Sequence, residues 1–199
     1  MSGSRAVSGR IVWITVLFEG GLLGLALGLG WWAGHPPFAR ISLGWQAVVL
    51  GIGAIWPPLL GMWWCARSSW GPLRRLQHEV FETIVPVFAE CSYFELTLVA
   101  VAAGLGEEIL FRGVIQIALA DWLGPFVALL LASALFGLAH LLTEAYAAIA
   151  ALLGLYLGGL LMVSDNLLPA IFVHAGYDLG ALLYLVRIHH VRQQSRCAP

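Results

Sequence analysis

Apolar residues in this chain do not alternate with polar ones at the spacing of a strand or a surface helix. They run on for lengths that suit a bilayer. A helix crossing a hydrocarbon core about 30 Å thick needs about 20 residues, and six runs approach or pass that length: 11–33, 43–66, 93–119, 125–142, 145–163 and 167–186. The pattern predicts an all-α fold, a polytopic membrane helix bundle of about six transmembrane helices. Between the second and third runs the pattern changes. In GPLRRLQHEVFETIVPVF, residues 71–88, Leu73, Leu76, Val80, Ile84 and Val87 recur at helical spacing, with Arg74, Arg75, Glu79 and Glu82 among them. This predicts one interfacial amphipathic helix lying on the membrane. The first run follows Arg5 and Arg10, as a secretory signal would, but it is longer than a signal core and no small-x-small cleavage site follows, so it reads as the first span. The expected organisation is one integral membrane domain: 1–92 with two spans and the interfacial helix, 93–187 as a four-helix membrane core, and 188–199 as a cytoplasmic tail.

Composition agrees with this reading. Of the 199 residues 60% are hydrophobic and 11% charged, against about 25% charged in soluble domains. The net charge of −1 argues against a nucleic-acid partner. Cys65, Cys91 and Cys197 are too few and too scattered for a disulfide framework or a zinc-binding CxxC pair, and read as free thiols. The basic residues are all arginine, and their distribution sets the orientation. Six spans starting inside place Arg5, Arg10, Arg67, Arg74, Arg75, Arg187, Arg192 and Arg196 in the cytoplasm, with Arg40 outside and Arg112 within a span. Both termini are therefore expected in the cytoplasm. Gly24 with Gly28, and Gly154 with Gly158, are small-xxx-small pairs suited to close helix approach. Trp13, Trp31, Trp32, Trp45, Trp63, Trp64 and Trp70 lie mostly toward span ends, as an aromatic belt requires.

Ionisable residues inside such spans are functional candidates, because a charge at the centre of a membrane helix costs roughly 2.5–3.5 kcal/mol on insertion scales. The third run holds three in GEEILFRG. Glu108 and Arg112 are four residues apart on one helical face, the favourable order for an ion pair. Glu107 is turned about 100° from Glu108, out of easy reach of the same arginine. A carboxylate without a counterion in a poorly solvated place is a natural general base. The fourth run ends in FGLAH with His140, and the sixth contains HAGYD, with His174 and Asp178 one turn apart. If the third and fourth spans turn near Trp122, Glu107 lies 15 residues before the turn and His140 18 after it, a depth difference of only about 4–5 Å at 1.5 Å per residue. His174 comes soon after the start of the sixth span, and reaches the others only if SDNLLP dips into the protein as shielded irregular backbone. Glu19 and Glu95 are expected to hydrogen-bond to neighbouring helices or to snorkel toward an interface.

These residues carry a resemblance. Glu107-Glu108 followed by Arg112, then Phe136 with His140, then His174 with Asp178, resemble the EExxxR, FxxxH and HxxxN/D motifs of the CPBP intramembrane proteases. That family includes the CAAX prenyl endopeptidases and the bacteriocin-processing or Abi proteins. The resemblance covers about residues 93–187, with the three motifs in order. It implies a glutamate-type intramembrane endopeptidase, a kind once classed as a metalloprotease, in which Glu107 with His140 activates the attacking water. His174 and residue 178 would then stabilise the oxyanion, a role worth about 3–4 kcal/mol per donor. Glu108 and Arg112 would be a supporting pair. Asp178 stands where asparagine is common, and an ionised aspartate cannot donate to an oxyanion. It must be protonated, or else orient and charge His174. No cofactor is expected. The alternative is zinc on Glu107, His140 and His174, a ligand set of the catalytic type, but it would use up the obvious base. The implied partners are the lipid bilayer and a membrane-associated peptide or protein cut near a hydrophobic or lipidated C-terminal segment, and the implied location is the bacterial cytoplasmic membrane. Two other classes compete: a non-catalytic immunity or scaffold protein of the same fold, and a proton-coupled carrier. The intact motif set argues against the first, and the lack of an evident inverted repeat against the second.

Overall fold

The computed structural model describes the backbone of residues 2–197 and the side chains of residues 9–188. Arg5, Arg192, Arg196 and Cys197, placed by the sequence reading in the cytoplasm or among the free thiols, have side chains outside the described residues; Cys65 and Cys91 are free thiols. The fold is all-α, and no strand occurs among the described residues. In chain order the helices are α1 (Ser2–Ala33), α2 (Trp45–Gly53), α3 (Trp56–Arg67), α4 (Gly71–Phe88), α5 (Tyr93–Leu123), α6 (Pro125–Ala139), α7 (Glu144–Ser164) and α8 (Leu168–Cys197).

Among the described residues, four stretches are long and apolar enough to cross a membrane: Gly9–Ala33, Trp45–Arg67, Glu144–Ser164 and Leu168–Ile188, or five if α4 and α5 are counted together as one broken span. The expected six is approximate because α6 has only 15 residues and falls short of a full span. Its outer surface is still membrane-like, with Phe126, Leu130 and Leu138 exposed, an arrangement suited to lipid and unsuited to water.

Local chemistry explains the breaks. The run 43–66 is interrupted between α2 and α3, where Pro57 and Pro58 lack the N–H groups that would continue the ladder. The N–H missing at Pro58 is the one that would have bonded to the Ala54 carbonyl, and Tyr156 from α7 donates its hydroxyl to that oxygen instead, at 2.9 Å. α4 meets α5 at 116° and buries Leu73, Leu76 and Val85 while exposing Arg74, Arg75 and Glu82. α5 starts at a capping box: Ser92 accepts from the Glu95 N–H at 3.3 Å, and Glu95 accepts from the Ser92 N–H at 2.8 Å. The turn expected near Trp122 falls at Gly124, whose φ of 81° is open to glycine.

α5 is the central element. α1 and α8 lie against it, and α6 pairs with α7. Its middle, Ile109–Gln116, is π-helical, and Ile109, Leu110, Phe111 and Val114 there join Phe136, Leu157, Leu161 and Leu167 in the core. The two glycine pairs behave differently. A Cβ at Gly158 would stand 2.5 Å from the Gln116 amide oxygen and one at Gly154 3.2 Å from Arg112 Nη2, whereas Gly24 and Gly28 have nothing within 4 Å. Only the second pair admits a close neighbour.

Contacts between loops sort them into two ends. At one end, His35 pairs with Asp121 at 3.3 Å, Arg40 pairs with Asp165, and Asn166 exchanges hydrogen bonds with Ser42. The SDNLLP segment is anchored here, with the Leu167 N–H on the Arg40 carbonyl at 2.7 Å and Leu167, Ala170 and Val173 fully buried. At the other end, Arg75 and Glu79 share a groove with Leu141, Thr143 and Glu144. These are the two sets of loops that six alternating crossings would place on opposite sides.

Candidate active site

Three helices bring the motif residues together. α5 supplies Glu107, Glu108 and Arg112 from the point where its α-helical part passes into the π-helical turn, and π-bulges of this kind are frequent at functional sites. α6 ends at His140, which is its C-cap residue with φ −103° and ψ 26°. α8 supplies His174 and Asp178 one turn apart.

The expected pair is present. Arg112 Nη1 donates to Glu108 Oε1 at 2.6 Å, and both side chains are fully buried. Phe136 lies under the guanidinium, 4.2 Å from Arg112 Cζ to the ring centroid, a cation–π contact. The same ring stacks at a tilt on His140, with centroids 4.5 Å apart, and meets His174 edge-on at 5.7 Å. It thus packs against Arg112 and both histidines at once.

Glu108 also has a partner that residue spacing did not reveal. His174 Nδ1 lies 2.7 Å from the same Oε1 oxygen, so this ring nitrogen donates and the ring is held in one orientation. His174 Nε2 then faces Asp178 Oδ2 at 3.5 Å and Glu107 Oε2 at 4.0 Å. Glu108 therefore occupies the orienting place on His174 that the sequence reading offered to Asp178, and Asp178 sits on the opposite ring nitrogen.

His140 is held differently. Its Nδ1 is 2.8 Å from the Phe136 carbonyl, an acceptor left free because the helix ends there, so Nδ1 carries the proton. Nε2, 3.4 Å from Glu107 Oε2, is then an acceptor in the neutral ring, facing a second acceptor. Glu107 Oε2 has no hydrogen-bond partner. Such a pair of acceptors suits a molecule that donates to both, as water does.

Glu107 and Asp178 line a cavity of about 620 Å³, together with Glu19, Tyr146 and Tyr177 and a long apolar wall from α3, α4 and α7. The tyrosines and Glu19 were not among the expected site residues. Tyr177 is within HAGYD, three residues from His174, and its place beside that motif was a usable signal. The Tyr146 ring meets His140 edge-on at 6.1 Å, a contact with no local signature. Glu95 lies away from the site, in the capping box of α5, and Ser-x-x-Glu is the sequence signature of that box.

Among the described residues, no group of three or more His, Cys, Asp or Glu side chains is arranged to hold a metal ion. Glu107, His140 and His174 are near one another, and with His174 Nδ1 on Glu108 its Nε2 is the nitrogen that faces Glu107.

Neither a curated protein nor a solved structure matches the chain. Residues 90–180 match the family model of the type II CAAX prenyl endopeptidase Rce1-like proteins, so the part of the chain that carries all three motifs is similar to this family of membrane proteases, as the motifs themselves implied.

Proposed function

We propose that the chain is an intramembrane endopeptidase that cuts a peptide bond with a water molecule activated by Glu107 and His140, without a metal. Residues 93–187 form its catalytic core, with 1–92 completing the cavity wall. The carrying observation is the Glu107 carboxylate, buried on that wall, with Oε2 unpartnered and 3.4 Å from the acceptor nitrogen of His140. A water between them can give a proton to Glu107 as its oxygen attacks the carbonyl, and the proton can pass to the departing amine. His174, fixed through Nδ1, stabilises the oxyanion from Nε2 when that nitrogen carries a proton, with Asp178 beside it to balance the charge. The low polarity of the surroundings strengthens each of these interactions. The apolar wall suits a substrate with a hydrophobic or lipidated C-terminal segment, delivered within the bacterial cytoplasmic membrane, and both termini of the enzyme face the cytoplasm.

The test uses purified protein in lipid nanodiscs with two peptides of one sequence, one farnesylated on a cysteine three residues from its C-terminus and one unlipidated. Cleavage of either by the wild type, and of neither by Glu107→Gln, is the expected result. Cleavage of neither by the wild type removes the proposal for this substrate class, and comparison of membrane proteomes with and without active protein then identifies any other.

A further inference from the structure

Glu19 is a carboxylate that does little visible for the fold. It projects from α1, outside the residues matched to the protease family, and only 6% of its surface is exposed. Its Oε2 atom has no hydrogen-bond partner. Burying a polar atom unpaired costs free energy, and carboxylates within membrane helices are costly in themselves. The position of Glu19 is fixed by contact at backbone level. A Cβ at Gly106 would stand 2.6 Å from the Glu19 carbonyl oxygen and 3.2 Å from Glu19 Oε2. α1 and α5 therefore touch one residue before Glu107, and the two carboxylates enter the same cavity at a set offset. The rest of the lining is largely apolar, with Leu73, Leu76, Phe88, Ile149, Leu153 and Leu185 among it. In such surroundings a carboxylate oxygen is an acceptor waiting for a donor, and a peptide threaded past Glu107 carries N–H donors at every residue.

We infer that Glu19 is a substrate-positioning residue, accepting a hydrogen bond from an N–H group of the peptide beside the bond to be cut. The inference rests on the reading of this cavity as the peptide-cutting site. It assigns to the first helix a part in substrate choice.

The experiment measures binding apart from cleavage. In a Glu107→Gln background, fluorescent forms of the two peptides, each with one lysine, are titrated against protein carrying Glu19, Glu19→Gln or Glu19→Ala, and thermal unfolding is recorded for each. Glu19→Ala should weaken peptide binding at least about tenfold, as expected when a hydrogen bond to a charged group is lost. Its unfolding temperature should be unchanged or raised, since no bond within the fold is lost at Oε2. With Glu107 restored, the same substitution should raise KM and leave kcat within about twofold, as for binding shared by ground and transition states. Exchanging the lysine of the peptide for norleucine separates the two N–H sources: a difference between Glu19 and Glu19→Ala that persists identifies a backbone amide, and one that vanishes identifies the ammonium group. Equal binding by Glu19 and Glu19→Ala overturns the inference, as does a lowered unfolding temperature with binding intact. Peptides that bind but are not cut by the wild type defeat the protease reading alone, leaving the binding comparison to decide Glu19. Peptides that do not bind at all overturn both.

Discussion

His174 and Glu108 are 66 residues apart in the chain, and His174 Nδ1 lies 2.7 Å from Glu108 Oε1 in a fully buried contact. The same oxygen takes Arg112 Nη1 at 2.6 Å. Glu108 therefore joins an ion pair within α5 to the ring on α8 whose other nitrogen faces Glu107 and Asp178. Arg112→Met should destabilise the protein by about 3–5 kcal/mol, because it leaves Glu108 as a buried charge without its counterion. Glu108→Gln should lower the unfolding temperature and also reduce kcat, because it disturbs the orientation of His174. Thermal unfolding in detergent and single-turnover rates measure the two effects, and a Glu108→Gln variant with full kcat would refute the orienting role.

Glu107→Gln should reduce proteolysis by about two to four orders of magnitude, the usual contribution of a general base, without loss of stability, since Glu107 Oε2 makes no hydrogen bond within the fold. Cleavage rate and unfolding temperature of the same preparation decide this. A normal rate in Glu107→Gln, with a dead but well-folded Glu108→Gln, would reverse the roles given to the two glutamates.

Glycines in the membrane helices should divide by what surrounds them. Gly106→Ala and Gly137→Ala press a methyl group against backbone oxygens at 2.6 Å and should destabilise by about 1–3 kcal/mol, as overpacking does. Gly24→Ala and Gly28→Ala meet nothing within 4 Å and should be neutral or slightly stabilising, since alanine favours helix. Unfolding temperatures of the four variants give the comparison, and equal losses in both classes would contradict the packing described.

Reporter fusions at the C-terminus and after Arg75 should both lie in the cytoplasm, and one inserted next to Arg40 should lie outside. The arginine distribution sets this direction, and the pairing of Arg40 with Asp165 and of His35 with Asp121 puts those loops at one end. An external signal from the fusion after Arg75 would contradict the proposed orientation.

Activity should survive exhaustive chelation, and elemental analysis of active protein should find no stoichiometric metal. A zinc ion held by Glu107, His140 and His174 would occupy the groups needed as base and oxyanion donor. Stoichiometric zinc, with activity lost on chelation and restored by zinc alone, would instead make those three residues ligands.

The sequence by itself determined the membrane class, the helical fold and the Glu108–Arg112 pair, because apolar run length and i, i+4 spacing are local properties that survive whatever the helices later pack against. It also carried the three motifs, and with them the resemblance to a protease family over the later part of the chain. What it could not carry was the count of full spans. Where α6 ends, at His140, the ring nitrogen takes up the Phe136 carbonyl that the helix leaves free, and the break before α3 is tolerated because Tyr156, 102 residues away, supplies the donor that Pro58 lacks. Only the tertiary structure joined His174 to Glu108 and put Glu19 in the same cavity as Glu107. Each of those relationships is a contact between helices, set by which faces pack, and a single helix with apolar residues on every side gives no sign of which face that is.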